Sequence, residues 1–216
     1  MTTAVIFDLD GTLADTLGDL AAAGNHVRAY YDKPALEPEA YRPMVGQGLD
    51  RLLTQALDEP PDTPVPEARQ RFLDYYHAHL CDNTRLYPGI AELLDALAER
   101  AVPMAVHSNK PDQATRTLVN MLLARWRFGC VLGQRDDLPR KPAAAGALHI
   151  AHQLGCAPQR CAYLGDSDVD IQTARAARMR PIGASWGFRG AAELHAAGAE
   201  HVIDKPMDLM SLLSLY

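Results

Sequence analysis

Two aspartates, Asp8 and Asp10, follow the apolar run Ala4 to Phe7 in the stretch AVIFDLDGTLADT, separated by one leucine. A carboxylate at the end of a buried strand costs several kcal/mol unless it is paired, or else its pKa shifts. Alternate positions of an extended chain share a face, so both acids can address one ligand from the same side. Three more polar groups follow short apolar runs. Ser108 and Asn109 come after VPMAV, Lys141 lies beyond CVL and just ahead of a helical pattern, and Asp166, Ser167, Asp168 and Asp170 come after CAYLG. Singly, each has a plain structural role, since Asp and Ser cap helices, Lys is solvated and Gly-Asp-Ser makes turns. Together they fall at the carboxyl ends of successive strands, where open parallel sheets bind ligands. Several neighbouring carboxylates repel one another unless a cation neutralises them. Oxygen ligands without nearby His or Cys suit a hard ion, and Mg²⁺ is the usual one where phosphate also binds. A lysine and a serine beside that ion offer the charge and the donor that an anionic substrate requires. Aspartate is a competent nucleophile toward phosphorus, forming an aspartyl phosphate, and positioning with charge neutralisation does most of the work of phosphoryl transfer.

The elements that must position these residues alternate. From about residue 88, short apolar runs (VPMAV, CVL, CAYLG, RPIGAS, HVID) are interleaved with helical patterns. In IAELLDALAER, Ile90, Leu93, Leu94 and Leu97 have the i, i+3, i+4, i+7 spacing of one helix face. SNKPD predicts a turn in which Pro111 opens the next helix, and Gly155 is placed to close a helix over AAAGALHIAHQLG. Such alternation predicts a doubly wound α/β domain with a parallel sheet and right-handed crossovers. Residues 15–84 break the rhythm, with helical patterns, a Pro-rich stretch (DEPPDTPVPEA) and no convincing strand. About 70 residues far exceed an ordinary crossover, so the expectation is an all-helical domain over 15–84 inserted into a core of 1–14 and 85–216.

Composition narrows the function classes. A net charge of −6 argues against a nucleic-acid partner, whose footprint is basic. No apolar run approaches the ~20 residues that cross a bilayer. No basic region followed by an apolar core opens the chain, so a cytoplasmic location is expected, with the four cysteines reduced. His149, His152, Cys156 and Cys161 are zinc-competent types, but they form no compact pair of chelating turns, and structural zinc is not expected.

The motifs FDLDGTLADT, HSNK, the lysine of RKP and GDSDVD resemble, in order, the four motifs of the haloacid dehalogenase superfamily. LADTLGDLAAAGN, VGQGLDRLL, LYPGIAELLDAL and WGFRG are similar to its phosphoglycolate phosphatase-like branch. The resemblance implies a Rossmann-like core with a helical cap and a Mg²⁺-dependent phosphomonoester hydrolase. Asp8 would be the nucleophile and Asp10 the general acid and base. Mg²⁺ would sit on side-chain oxygens of Asp8 and Asp166 and the carbonyl of Asp10. Asp170 would bind the metal directly or through water, or orient Lys141. Ser108 and the backbone amide of Asn109 would hold phosphate beside Lys141, with Gly11 allowing close backbone approach. The cap loop Gly46, Gln47 and Gly48 would reach over the site, and Arg42 and Arg51 beside it are candidates to pair with a substrate carboxylate. A serine stands where threonine is common in the second motif, and LLARWRFG and GQRDDLPRKP are irregular against the family pattern.

Other readings are separable. A receiver domain carries its phosphorylated aspartate on a later strand and has no helical cap. A non-catalytic binding protein on this scaffold would more often have lost one of Asp8, Asp10, Lys141 and Asp166. Mutases of the superfamily carry a cap histidine where this chain has GDLAAAG, and dehalogenases need no Mg²⁺. Pyrophosphate and sugar phosphates stay open as substrates. The leading one is 2-phosphoglycolate, a small phosphorylated metabolite, handled by a monomer or a homodimer.

Overall fold

The computed structural model describes residues 4–214. Among the described residues eight strands and ten α-helices follow in order: β1 (Ala4–Phe7), β2 (Ala14–Asp15), α1 (Leu17–Tyr30), α2 (Pro38–Tyr41), α3 (Leu49–Ala56), α4 (Pro66–Ala78), β3 (Arg85–Leu86), α5 (Ile90–Glu99), β4 (Met104–Pro111), α6 (Asp112–Leu122), β5 (Phe128–Gln134), α7 (Ala145–Gln153), β6 (Cys161–Gly165), α8 (Asp168–Ala176), β7 (Arg180–Ala184), α9 (Ala191–Ala197), β8 (His201–Ile203) and α10 (Asp208–Ser214). Six strands form a parallel sheet in the order β5-β4-β1-β6-β7-β8, so the expected α/β fold is present. The chain winds from β1 to β5 on one side, then returns past β1 to continue outward from β6. The order therefore reverses at β1, which puts the ligand-binding crevice at the ends of β1, β4 and β6.

The period of two along each strand sorts side chains onto two faces. Val5, Phe7, Val106, Leu164 and Ile182 join one core cluster with Ile90, Leu93, Leu94 and Leu97 of α5. Ala4, Ile6, Ala105, Cys161 and Tyr163 join the other, against Ala147, Ile150 and Ala151 of α7. All four predicted residues of α5 are fully buried, as their spacing requires.

Two local expectations change, and one irregular stretch finds its anchor. First, β4 runs through SNK to Pro111, so Ser108 and Asn109 lie on the strand, and Pro111 is the N-cap of α6 rather than part of its first turn. The register of β4 against β5 shifts between His107 and Pro111. Second, β2 and β3 form a small antiparallel pair, Ala14 opposite Leu86 and Asp15 opposite Arg85, where the chain leaves for the helical segment and returns. Two residues per strand are too few to show a period, so this pair is invisible to pattern reading. Third, the irregular LLARWRFG stretch is held by α5: Trp126 Nε1–H donates to Asp95 Oδ1 at 2.8 Å, and Arg125 pairs with Asp95 Oδ2 at 2.6 Å.

Between β2 and β3 lie α1 to α4, whose buried polar residues stitch them together. Asp19 on α1 accepts from the amides of Asn83 and Thr84 and from the Thr84 hydroxyl at 2.6 Å. Arg28 donates to the carbonyls of Pro34 and Ala56. These bonds fasten the two ends of the segment and its helices to each other.

Candidate active site

Asp8 follows β1, and its amide donates to the Leu164 carbonyl of β6 at 2.9 Å. Its carboxylate points at Lys141, whose Nζ lies 2.8 Å from Asp8 Oδ1. That oxygen is buried and accepts no aligned hydrogen bond, so it is ion-paired but not saturated. Burial, with the charge of Asp170 adding to it, pushes the Asp8 carboxyl up to about 7 against the pull of Lys141.

Lys141 is buried and tied three ways, to Asp8, to Asp170 Oδ1 at 2.7 Å and to the His107 carbonyl at 3.2 Å. Burial alone would lower its ammonium, yet the two carboxylates hold it well above its ordinary value. It is a fixed cation. Beneath it, His107 Nδ1 shares a 3.0 Å bond with the Tyr163 hydroxyl. Burial, with Lys141 adding, drives that imidazole well below its usual range, so it stays neutral.

Asp166 and Asp170 arrive from the turn between β6 and α8. Asp170 closes a capping box with Ser167, accepting from the Ser167 hydroxyl at 2.6 Å and amide at 3.2 Å, so the start of α8 and the grip on Lys141 share one side chain. Asp166 Oδ2 accepts from the Phe188 amide at 2.6 Å, and Thr12 Oγ1 lies 3.4 Å from Oδ1. Burial, with Asp170 and Asp8 adding, raises the Asp166 carboxyl well above its ordinary value. One oxygen each of Asp8, Asp166 and Asp170 lie within 4.8 Å of one another, the only such group of potential metal ligands among the described residues.

Gly11 lets this cluster close. Its φ is +81°, and a Cβ there would stand 2.2 Å from Asp166 Oδ2. Gly11→Ala adds a left-handed penalty of ~1–2 kcal/mol to displacement of Asp166. The expected result is a melting temperature lower by roughly 3–8 °C, read by calorimetry. An unchanged melt would show that the turn itself relaxes to accept a Cβ.

Asp10 faces the helical segment. Thr16, the N-cap of α1, makes no side-chain capping bond; its hydroxyl donates to Asp10 Oδ1 at 2.7 Å instead. Lys110 Nζ approaches the same oxygen at 3.1 Å and donates to the Tyr76 hydroxyl of α4 at 2.8 Å. Burial would lower the Lys110 ammonium, but Asp10 and Tyr76 hold it above its ordinary value. Ser108 Oγ accepts from the Lys110 amide at 3.2 Å, which leaves its own proton to donate. The Asn109 amide group donates to Gly46 at 2.9 Å and to the Lys141 carbonyl at 3.1 Å, and accepts from the Lys141 amide at 2.9 Å.

One cavity is lined by Asp8, Asp10, Ser108, Asn109, Lys110 and Lys141 below and by Leu20, Met44, Val45, Gly46, Gly48 and other apolar residues above. The candidates on the helical segment divide. Gly46 and Gly48 line the cavity, while Gln47, Arg42 and Arg51 do not. Arg42 pairs with Glu39 at 2.7 Å, reaches the Gly187 carbonyl at 3.4 Å and lies over the Phe188 ring. Arg51 lines a separate surface cleft with Arg69 and Arg140. Neither arginine lines the cavity: Arg42 is engaged by Glu39, and Arg51 on α3 faces the separate cleft. Residues without a role in the sequence reading complete the site: Lys110, Tyr76, Thr16, His107, Tyr163 and the Phe188 amide. Lys110 and Phe188 lie within HSNK and WGFRG, which are visible in the chain, whereas nothing in the sequence marks Tyr76 or Tyr163 as neighbours of the acids.

Residues 5–184 match the family model described as haloacid dehalogenase-like hydrolase. The chain is 37% identical to the phosphoglycolate phosphatase of Chromobacterium violaceum over 213 residues, covering 96% of each. It is 34% identical to that of Pseudomonas putida, covering 97% of this chain and 78% of the relative. Its fold superposes with a TM-score of 0.88 on a Lactobacillus delbrueckii subsp. bulgaricus protein whose crystal structure carries a provisional phosphoglycolate phosphatase assignment, at 32% identity and 98% coverage of both chains. A parallel sheet that reverses at β1, four polar motifs at its carboxyl edge and similarity along nearly the whole chain have one explanation: this protein belongs to the haloacid dehalogenase-like hydrolases, on their phosphoglycolate phosphatase-like branch.

Proposed function

We propose that this protein is a Mg²⁺-dependent phosphomonoesterase acting through an aspartyl phosphate on Asp8, with 2-phosphoglycolate as substrate. In this reading residues 15–84 are the cap over a core of 1–14 and 85–216, working in the cytoplasm as a monomer or a homodimer. The observation that carries it is the buried carboxylate group of Asp8, Asp166 and Asp170 beside a fixed lysine. Burial and mutual repulsion raise the carboxyls of Asp8 and Asp166, and Asp8 Oδ1 lacks an aligned donor. An all-oxygen set in that condition fits a hard dication. Asp8, Asp166 and the Asp10 carbonyl would hold it, with Asp170 at the edge of the set, orienting Lys141. Mg²⁺ bound there supplies charge neutralisation for the nucleophile and the phosphate.

Asp8 attacks phosphorus, and the bond from phosphorus to the substrate's ester oxygen breaks as Asp10 gives its proton to that oxygen. Asp10, now a carboxylate, takes a proton from water. The water oxygen bonds to phosphorus and the bond to Asp8 breaks, releasing phosphate and restoring both acids. Ser108 and the Asn109 amide donate to the phosphate oxygens, and Lys141 offsets the charge that builds on them. The cap excludes water from the first step.

Two curated relatives that carry the name phosphoglycolate phosphatase support the choice of 2-phosphoglycolate. The test is a phosphate-release screen of small phosphomonoesters, sugar phosphates and pyrophosphate. 2-Phosphoglycolate is expected to lead by at least tenfold in kcat/KM. EDTA should reduce the rate at least 100-fold, with recovery on adding Mg²⁺. A flat profile overturns the substrate, and indifference to the chelator overturns the mechanism.

A further inference from the structure

Lys110 is a buried cation inside the cavity that the steps above do not use. A buried ammonium is costly unless each donor is matched, so its surroundings indicate what it is for. Of its three N–H donors, the partners among the described residues are Asp10 Oδ1 at 3.1 Å and the Tyr76 hydroxyl at 2.8 Å. One donor is left for a ligand. The walls around it are apolar, including Leu20, Met44, Val45, Leu52, Phe72 and Leu73. Lys141 is the other lining cation, and it is committed to Asp8, Asp170 and the His107 carbonyl. A substrate with a second anionic group therefore meets one cation with capacity to spare.

We propose that Lys110, backed by the Tyr76 hydroxyl, is the receptor for a carboxylate on the carbon next to the phosphoester oxygen of the substrate. The inference rests on the phosphatase reading and deepens it by naming what selects the leaving group. The spacing is short. Asp10 Oδ1 already accepts from Thr16 and faces Lys110 Nζ at 3.1 Å, which leaves Oδ2 to meet the leaving oxygen at hydrogen-bond distance, ~2.7 Å. Lys110 and the leaving oxygen thus flank one carboxylate, a gap that an α-carboxylate hydrogen-bonded to Lys110 can bridge. A more distant charge, as in a longer bisphosphate, would have to fold back on itself. Lys110 stands on β4 and Tyr76 on α4, so the same contact joins the sheet edge to the helical segment.

The experiment compares kcat/KM for 2-phosphoglycolate with its uncharged amide and with ethyl phosphate, in the wild-type enzyme, Lys110→Met and Lys110→Arg. Removing Lys110 also disturbs Asp10, so the readout is the ratio of carboxylate to amide, which a purely structural or Asp10-positioning role leaves unmoved. The expected ratio is at least 30-fold in the wild type, below threefold in Lys110→Met, and largely restored in Lys110→Arg. Thermal melts accompany each variant. If Lys110→Met does not fold, Lys110→Gln takes its place, and loss of the ratio in that variant carries the same meaning. A wild-type preference that survives loss of the lysine overturns the role of Lys110 and leaves the substrate assignment intact. A wild-type enzyme that hydrolyses amide and acid equally overturns both, and one inactive on every phosphoester overturns the phosphatase reading itself.

Discussion

Asp8→Asn is expected to lower kcat by ~10⁴-fold or more while the fold persists, because the substitution removes the attacking oxygen with almost no change of shape. Acid quench during turnover should trap hydroxylamine-sensitive phosphate on the wild-type chain and none on the variant. Full activity in Asp8→Asn would sink the covalent mechanism. The same variant has a second signature. In metal-free protein the folded state holds the Asp8 carboxyl up at about 7, chiefly by burial, whereas the unfolded chain has the ordinary value near 4. The folded state thus binds that proton more tightly, so the contribution of Asp8 is intact below about pH 4 and is lost as pH rises through 7. Asparagine does not ionise. With EDTA present, the variant should melt above the wild type at pH 8 and alongside it at pH 4, and Mg²⁺ should close the gap. A constant difference across pH would mean that burial does not strain this carboxylate.

Lys141→Met carries the other large effect. The aliphatic stem is replaced closely, but Asp8 and Asp170 lose the cation 2.8 and 2.7 Å away in a buried site. Stranding buried charges costs ~3–5 kcal/mol, which for a chain of this length is a fall of roughly 6–20 °C in melting temperature. Activity should drop at least ~10³-fold, since nucleophile and phosphate lose their nearest positive charge. Adding Asp170→Asn to Lys141→Met removes one of the stranded carboxylates while keeping an acceptor for Ser167. The double variant is expected to regain several degrees but no activity. If the single variant melts like the wild type, Lys141 is not the structural centre of this site.

Residue types and their order along the chain already name the acids, the serine and the lysine of the site. The apolar run before Asp8, the alternation from residue 88 onward and the spacing of Ile90, Leu93, Leu94 and Leu97 report burial and period, which are local properties. The rule that ligands gather at the carboxyl ends of parallel strands then places Asp8, Asp10, Ser108, Asn109, Lys141 and Asp166 on one edge. Tertiary structure alone decided the pairings. Asp170 turns one oxygen to Lys141 and the other to Ser167, so the same residue type at the same motif serves lysine geometry and helix capping together. Arg42 and Arg51 looked equally suited to a carboxylate in sequence, yet Glu39 and the path of α3 carry them off the cavity. In sequence Lys110 reads as part of a turn, because its partner Tyr76 lies 34 residues away on another element. Charge and chemistry are written along the chain, but which charges meet depends on distances between elements, and no period or spacing encodes those.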